Sequence, residues 1–190
     1  MRSLEDAVQS IQNLNIIRHI LSDDGHFPNN ALLPLLLYRS AIHIPEGGVT
    51  GIAKEILESN SWTNAWVDGI YDYHHYHSTA HEVLVITKGT ARVQFGGPGG
   101  VTLAIEEGDV VIIPAGVAHK KIEEADGFTC LGAYPDGQQY DMNYGRKDER
   151  PRADENIRNV PLPENDPVYG KDGPLVKNWS GEKDVTREVL

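Results

Sequence analysis

The sequence predicts a mainly β domain, a sandwich or barrel with short N-terminal helices and an irregular C-terminal extension. Three observations lead there. Between about Trp66 and Tyr140, short runs rich in Val, Ile, Thr and Tyr alternate with Gly and Pro turns. Before Trp66, helical spacing appears only in short stretches. After Tyr140 the chain turns polar and Pro-rich, with charges of both signs. This divides one structural domain into an N-terminal extension packed on the barrel (residues 1–65), a β core (66–140) and a C-terminal extension (141–190).

Each element has its own signal. Ser3 is placed to cap a first helix, with Leu4, Val8 and Ile11 at helical spacing. Ile16–Leu21 reads as a short strand, Asp23–Asn30 as a loop dense in turn formers, and Leu32–Ile42 as extended. Thr50–Ser59 fits a second helix with Ile52, Ile56 and Leu57 on one side. Strands follow near Trp66–Tyr73, Glu82–Thr87, Ala91–Phe95, Val101–Ile105, Asp109–Ile113, Lys120–Glu123 and Phe128–Tyr134. Gly89, the Gly96–Gly100 run and Pro114-Ala115-Gly116 supply turns between them. The charged run Arg146–Glu155 reads as solvated tail, and Val160–Trp179 holds enough apolar anchors to pack down.

Composition narrows the function classes. A length of 190 residues suits one domain with a real core. A net charge of −11 repels phosphate backbones and anionic bilayers, so neither nucleic acid nor membrane is an expected partner. No apolar leader opens the chain, and the longest apolar stretch, Ala31–Tyr38, is interrupted by Pro34. A cytoplasmic location is the simplest expectation. The single cysteine, Cys130, excludes an internal disulfide and a thiolate metal site, and reads as a buried thiol.

The chemistry lies in the histidines. Of 8 in the chain, His74, His75, His77 and His81 are clustered, and Glu82 follows. Neutral imidazole and carboxylate together bind Zn, Mn, Fe, Ni and Co. In an extended segment His75 and His77 share a face, and Tyr73 shares it with them, while His74 and Tyr76 point away. Of the neighbours His81 and Glu82, one faces inward, and Glu82 is the preferred ligand. His81 either orients a ligand or faces solvent. His119, after the Pro114–Gly116 turn, is by itself a weak candidate. Tyr73 is either a core tyrosine or a phenol that donates a hydrogen bond or proton to substrate. Lys120 and Lys121 read as a solvated pair, with an acidic substrate at the barrel mouth as the alternative.

These residues resemble the two motifs of the cupin superfamily. Gly69, His75-Tyr76-His77, Glu82 and Gly89 match the first motif at every spacing. Gly108, Pro114-Ala115-Gly116 and His119 match the second, with Glu123 where that motif carries Asn. The wider chain resembles single-domain cupins of unassigned activity, in segments such as Asp23–Asn30, Tyr71–Glu82 and Gly132–Gln138. The resemblance implies a small jelly-roll β-barrel. It also implies one divalent metal ion per chain (Fe, Mn, Zn, Ni or Co) on His75, His77, Glu82 and His119, and a homodimer. By the same analogy the protein is a mononuclear metalloenzyme, of dioxygenase, decarboxylase or isomerase type, acting on a small oxygenated molecule. The alternative is a non-catalytic cupin that binds or senses a small-molecule ligand.

Overall fold

The computed structural model describes residues 4–43 and 49–180. Seven strands form one antiparallel sheet: β1 (Asn15–Leu21), β2 (Asn30–Arg39), β3 (Trp62–Asp68), β4 (Glu82–Phe95), β5 (Val101–Glu106), β6 (Val110–Ile113) and β7 (His119–Pro135). Their order is β1-β2-β6-β4-β7-β3, and β5 pairs with the second half of β4. The sheet curls on itself in the manner of a jelly roll.

Side-chain alternation covers both faces of the sheet. Leu35, Leu37, Leu84, Ile86, Val93, Phe95, Val111 and Ile113 form the cluster inside the curl. Their neighbours Leu36, Tyr38, Val83, Val85, Val110, Ile112 and Leu131 face outward into a second cluster. That outer cluster is completed by Ala53, Ile56 and Leu57 of helix α1 (Val49–Ser59) and by Leu175 and Trp179 of helix α3 (Pro174–Trp179). Burial on both faces explains why these strands read as nearly unbroken apolar runs. Each such Leu or Ile contributes about 1.5–3 kcal/mol.

Several elements differ from the expectation. The runs Glu82–Thr87 and Ala91–Phe95 are one strand, and so are Lys120–Glu123 and Phe128–Tyr134. Gly89 makes a bulge, not a turn: its φ is +69°, and a Cβ there would lie 2.5 Å from the Ala125 carbonyl oxygen. Register shifts at Ile86/Lys88, Lys88/Thr90 and Arg92/Val93 bend the β4–β7 ladder instead of breaking it.

The first predicted helix is replaced by two short 3-10 turns, Leu4–Ala7 and Ile11–Asn13. The backbone there pairs with residues 41–43, through His43 N–H to the Ala7 carbonyl (2.6 Å) and Gln9 N–H to the Ala41 carbonyl (2.9 Å). The Ser3 cap lies outside the described residues. The strand expected at Trp66–Tyr73 starts earlier and ends at Asp68, because buried Trp62 anchors it through its indole N–H to the Asn165 carbonyl (2.9 Å).

The charged run Arg146–Glu155 is not solvated tail throughout. Helix α2 (Arg152–Asn159) packs Ala153 beside Phe27, Tyr76 and Ala118. The Arg150 guanidinium binds Asp23 (2.5 Å) and Asp154 (2.7 Å), which satisfies the charges that made the run look exposed. Val160–Trp179 packs down as expected, around the buried Asp166 carboxylate. That group accepts hydrogen bonds from the Tyr38 hydroxyl (2.7 Å) and from the Val168, Tyr169 and Leu175 N–H groups. No helix among the described residues is long and apolar enough to cross a membrane.

Candidate metal centre

His75 and His77 lie in an extended segment that leaves the sheet at Asp68 and returns at Glu82. The alternation argument holds there without a formal strand. An isolated bridge pairs His75 with His119, through N–H to carbonyl bonds of 3.2 and 2.9 Å. Glu82 opens β4 and His119 opens β7. The turn before His119 depends on Gly116, whose φ is +93° and whose Cβ would lie 2.4 Å from the Asn29 carbonyl oxygen. Asn29 completes that turn, since its side-chain oxygen accepts the Ala118 N–H at 3.1 Å.

All three imidazoles are buried, and their candidate donor atoms lie within 4.8 Å of one another. Each ring presents Nδ1 to a backbone carbonyl: His75 to Tyr73 (3.2 Å), His77 to Asp141 (2.6 Å) and His119 to Val117 (3.2 Å). A carbonyl only accepts, so Nδ1 carries the proton in every ring and Nε2 keeps its lone pair. The Glu82 carboxylate sits among these nitrogens, with Oε2 3.4 Å from His119 Nε2 and 3.6 Å from His77 Nε2. Glu82 Oε1 accepts the Tyr134 hydroxyl (3.0 Å), whereas the buried Oε2 has no hydrogen-bond partner. The three imidazole nitrogens could hold a metal ion, and the unpartnered carboxylate oxygen lies within 3.6 Å of two of them.

The electrostatics agree. Burial alone would raise the Glu82 carboxyl, but His77 and His119 outweigh it and hold the group below the usual carboxylate range. Burial lowers His75 to about 3, with His119 adding to the effect. Burial would lower His77 as well, yet the nearby Glu82 charge raises it. The cluster attracts positive charge to one spot. Such a site would favour a cation over a neutral occupant.

A cavity of about 240 Å³ opens onto these groups. Its lining includes Trp66, Ile70, Tyr71, Leu84, Tyr140 and Met142. The expected catalytic candidate, Tyr73, is not among the lining residues. It is 41% exposed and stacks on Tyr71 with centroids 4.9 Å apart. The phenol nearest the site chemistry is Tyr134, supported in turn by the Trp66 indole N–H at 2.7 Å. His81 is buried but turned away, and its Nδ1 accepts the Ala115 N–H at 2.9 Å. Lys120 and Lys121 do not line the cavity, and the Lys121 ammonium binds Glu124 at 2.5 Å. Glu123, where the second motif carries Asn, pairs with Arg92 on the exposed surface (3.0 Å).

Residues with no motif signal complete the arrangement. Asp141 holds His77 through its carbonyl, while its carboxylate takes the Ser78 N–H (2.6 Å) and hydroxyl (2.5 Å). Tyr134 fixes the rotation of the Glu82 carboxylate. Tyr134→Phe is expected to weaken metal binding about 10–100-fold with the fold intact, read by chelator competition. Unchanged affinity would show that the hydroxyl plays no positioning role.

A family model described as Cupin matches residues 72–139. The Bacillus subtilis (strain 168) protein named "Uncharacterized protein YjlB" is 44% identical over 161 residues, covering 85% of this chain and 94% of that one. Solved structures with similarity include an acireductone dioxygenase from Bacillus anthracis with cadmium ion in its active center. It is 17% identical with a TM-score of 0.39, covering 53% of this chain and 71% of that one. Another is the DMSP lyase DddQ from Ruegeria pomeroyi DSS-3, 14% identical with a TM-score of 0.34, covering 76% and 59%.

Proposed function

The chain belongs to the cupin family, and from that premise we propose that it is a mononuclear metalloenzyme acting on a small oxygenated molecule. His75, His77 and His119 hold the cation through Nε2, and Glu82 holds it through Oε2. The observation that carries this reading is the unpartnered, buried Glu82 Oε2 facing imidazoles whose tautomers are set by backbone carbonyls. A four-donor set leaves positions for substrate on a six-coordinate cation, unlike a closed structural site. A bound metal would supply a Lewis acid or a dioxygen-binding centre, and by analogy with the family the reaction is of dioxygenase, decarboxylase or isomerase type.

The chain's own groups do the rest. Tyr134 and Asp141 orient the ligands. Trp66, Ile70, Leu84 and Met142 keep bulk water from the reacting end of the substrate. The same reading includes a cytoplasmic homodimer. The exposed side chains Ile20 and Leu32 near the β1 edge of the sheet support an interface, and the buried free thiol of Cys130 suits a reducing compartment.

The test is elemental analysis of the purified protein, followed by oxygen uptake and product analysis. Fe(II), Mn(II), Ni(II) and Co(II) forms are each offered keto acids, diketones and thiols. One metal per chain with turnover on one of these classes is expected. Metal without turnover across the panel, or a protein that takes up no metal, favours the binding or sensing cupin and defeats the metalloenzyme reading.

A further inference from the structure

The walls of the cavity restrict what can bind there, and this inference rests on the metal reading above. The polar groups near the ligands are already engaged. The Tyr134 hydroxyl accepts from the Trp66 indole and donates to Glu82, so it has little left for a ligand. Beyond it the wall is apolar, formed by Ile70, Leu84 and Met142. At the rim the charged side chain is acidic: Asp68 lines the opening and is exposed. Among the described residues that line the cavity, none carries a fixed positive charge. The Lys121 ammonium lies 3.9 Å from where a Cβ on the lining residue Gly69 would be, but it is paired with Glu124 at 2.5 Å.

We infer that the ligand is a compact chelator with at most one negative charge, placed at the metal, and an uncharged, mainly apolar remainder. A second anionic group, at the end away from the metal, would lose its hydration against the apolar wall or stand in the field of Asp68, with no lining cation to replace the water. Phosphorylated compounds and dicarboxylates are therefore disfavoured. The exposed phenols of Tyr71 and Tyr140 at the mouth suit a neutral hydroxyl or carbonyl at the far end of the ligand. The cavity of about 240 Å³ lies below the usual range of about 300–1,000 Å³ for ligand pockets, which favours a short chain.

The test uses two acids with the same chelating head and the same chain length. The cobalt(II)-loaded full-length protein is titrated with 2-oxopentanoate and with 2-oxoglutarate, read by the visible cobalt spectrum. The second acid differs only in carrying a carboxylate in place of the terminal methyl. The expected result is a Kd for 2-oxopentanoate at least tenfold lower. Val67→Arg, at the exposed rim, supplies a cation and is expected to shrink that ratio at least threefold. Equal binding, preference for 2-oxoglutarate, no spectral change with 2-oxopentanoate, or a ratio indifferent to the added arginine each overturns the inference. Failure of the wild-type protein to take up cobalt sinks the metal reading itself, and this inference with it.

Discussion

Replacing Glu82 with glutamine is expected to lower metal affinity by roughly two to three orders of magnitude while leaving the fold intact. The glutamine matches the size of the side chain, and its carbonyl still accepts the Tyr134 hydroxyl that holds Oε1 at 3.0 Å. What disappears is the charge, in a fully buried place where it faces His77 and His119. Removing one member of a buried charge pair costs about 3–5 kcal/mol, and 1.4 kcal/mol is tenfold in affinity. Competition against a chromophoric chelator reads the affinity, and near-UV circular dichroism reads the packing. A glutamine variant that binds zinc or cobalt as tightly as the wild type removes Glu82 from the ligand set. His81→Gln serves as the neighbouring control, because that ring is turned toward Ala115 and Trp179, away from the cavity.

The second large effect is on stability against pH. Burial holds His81 at about 3, and its Nε2 has no hydrogen-bond partner. In the unfolded chain the same group titrates near about 6.5. Between those values the unfolded chain binds a proton that the folded protein refuses. Stability attributable to this residue is therefore full above about 6.5 and is lost as pH falls, by about 1.4 kcal/mol per unit. His75, lowered to about 3, acts in the same direction. His77 is raised, so its contribution is present at low pH and lost as pH rises through its folded value. The difference between wild type and His81→Gln isolates His81. In urea unfolding of the metal-free protein, the wild type is expected to lose about 2 kcal/mol more than the variant between pH 6.5 and 5. A gap that does not change with pH would mean that the ring is protonated in the folded state.

The candidate site was legible where it is local. The spacing of His75, His77 and Glu82 needs only an extended segment and a short turn, and the structure brings these side chains to one point with His119. The groups that hold them were not legible. Tyr134 reaches Glu82 across 52 positions and Asp141 reaches His77 across 64, and no local pattern marks either contact. Tyr73 shared the expected face, yet the chain stacks it on Tyr71 at the surface, so it is Tyr71 that lines the cavity. The strands were legible as apolar runs, but not their continuity. A glycine with positive φ suits a hairpin and a bulge equally, and only the partner strand decides between them at Gly89. Helix α2 was hidden because its charges are answered from afar, by Asp23 through Arg150.

The bend of the β4–β7 ladder has a mechanical consequence. Its paired residues run from Val83 with Ala133 to Phe95 with His119. Laid flat, that stretch would be about 40 Å long at roughly 3.3 Å per residue. Glu82 and His119 stand at its two ends, yet their side chains meet at 3.4 Å. A cation held by both would clasp the two ends of this bent ladder, so drawing those ends apart would release it. Metal occupancy and closure of this ladder would thus be linked. Free metal at a thousand times its Kd would add about 4 kcal/mol to the free energy of global unfolding.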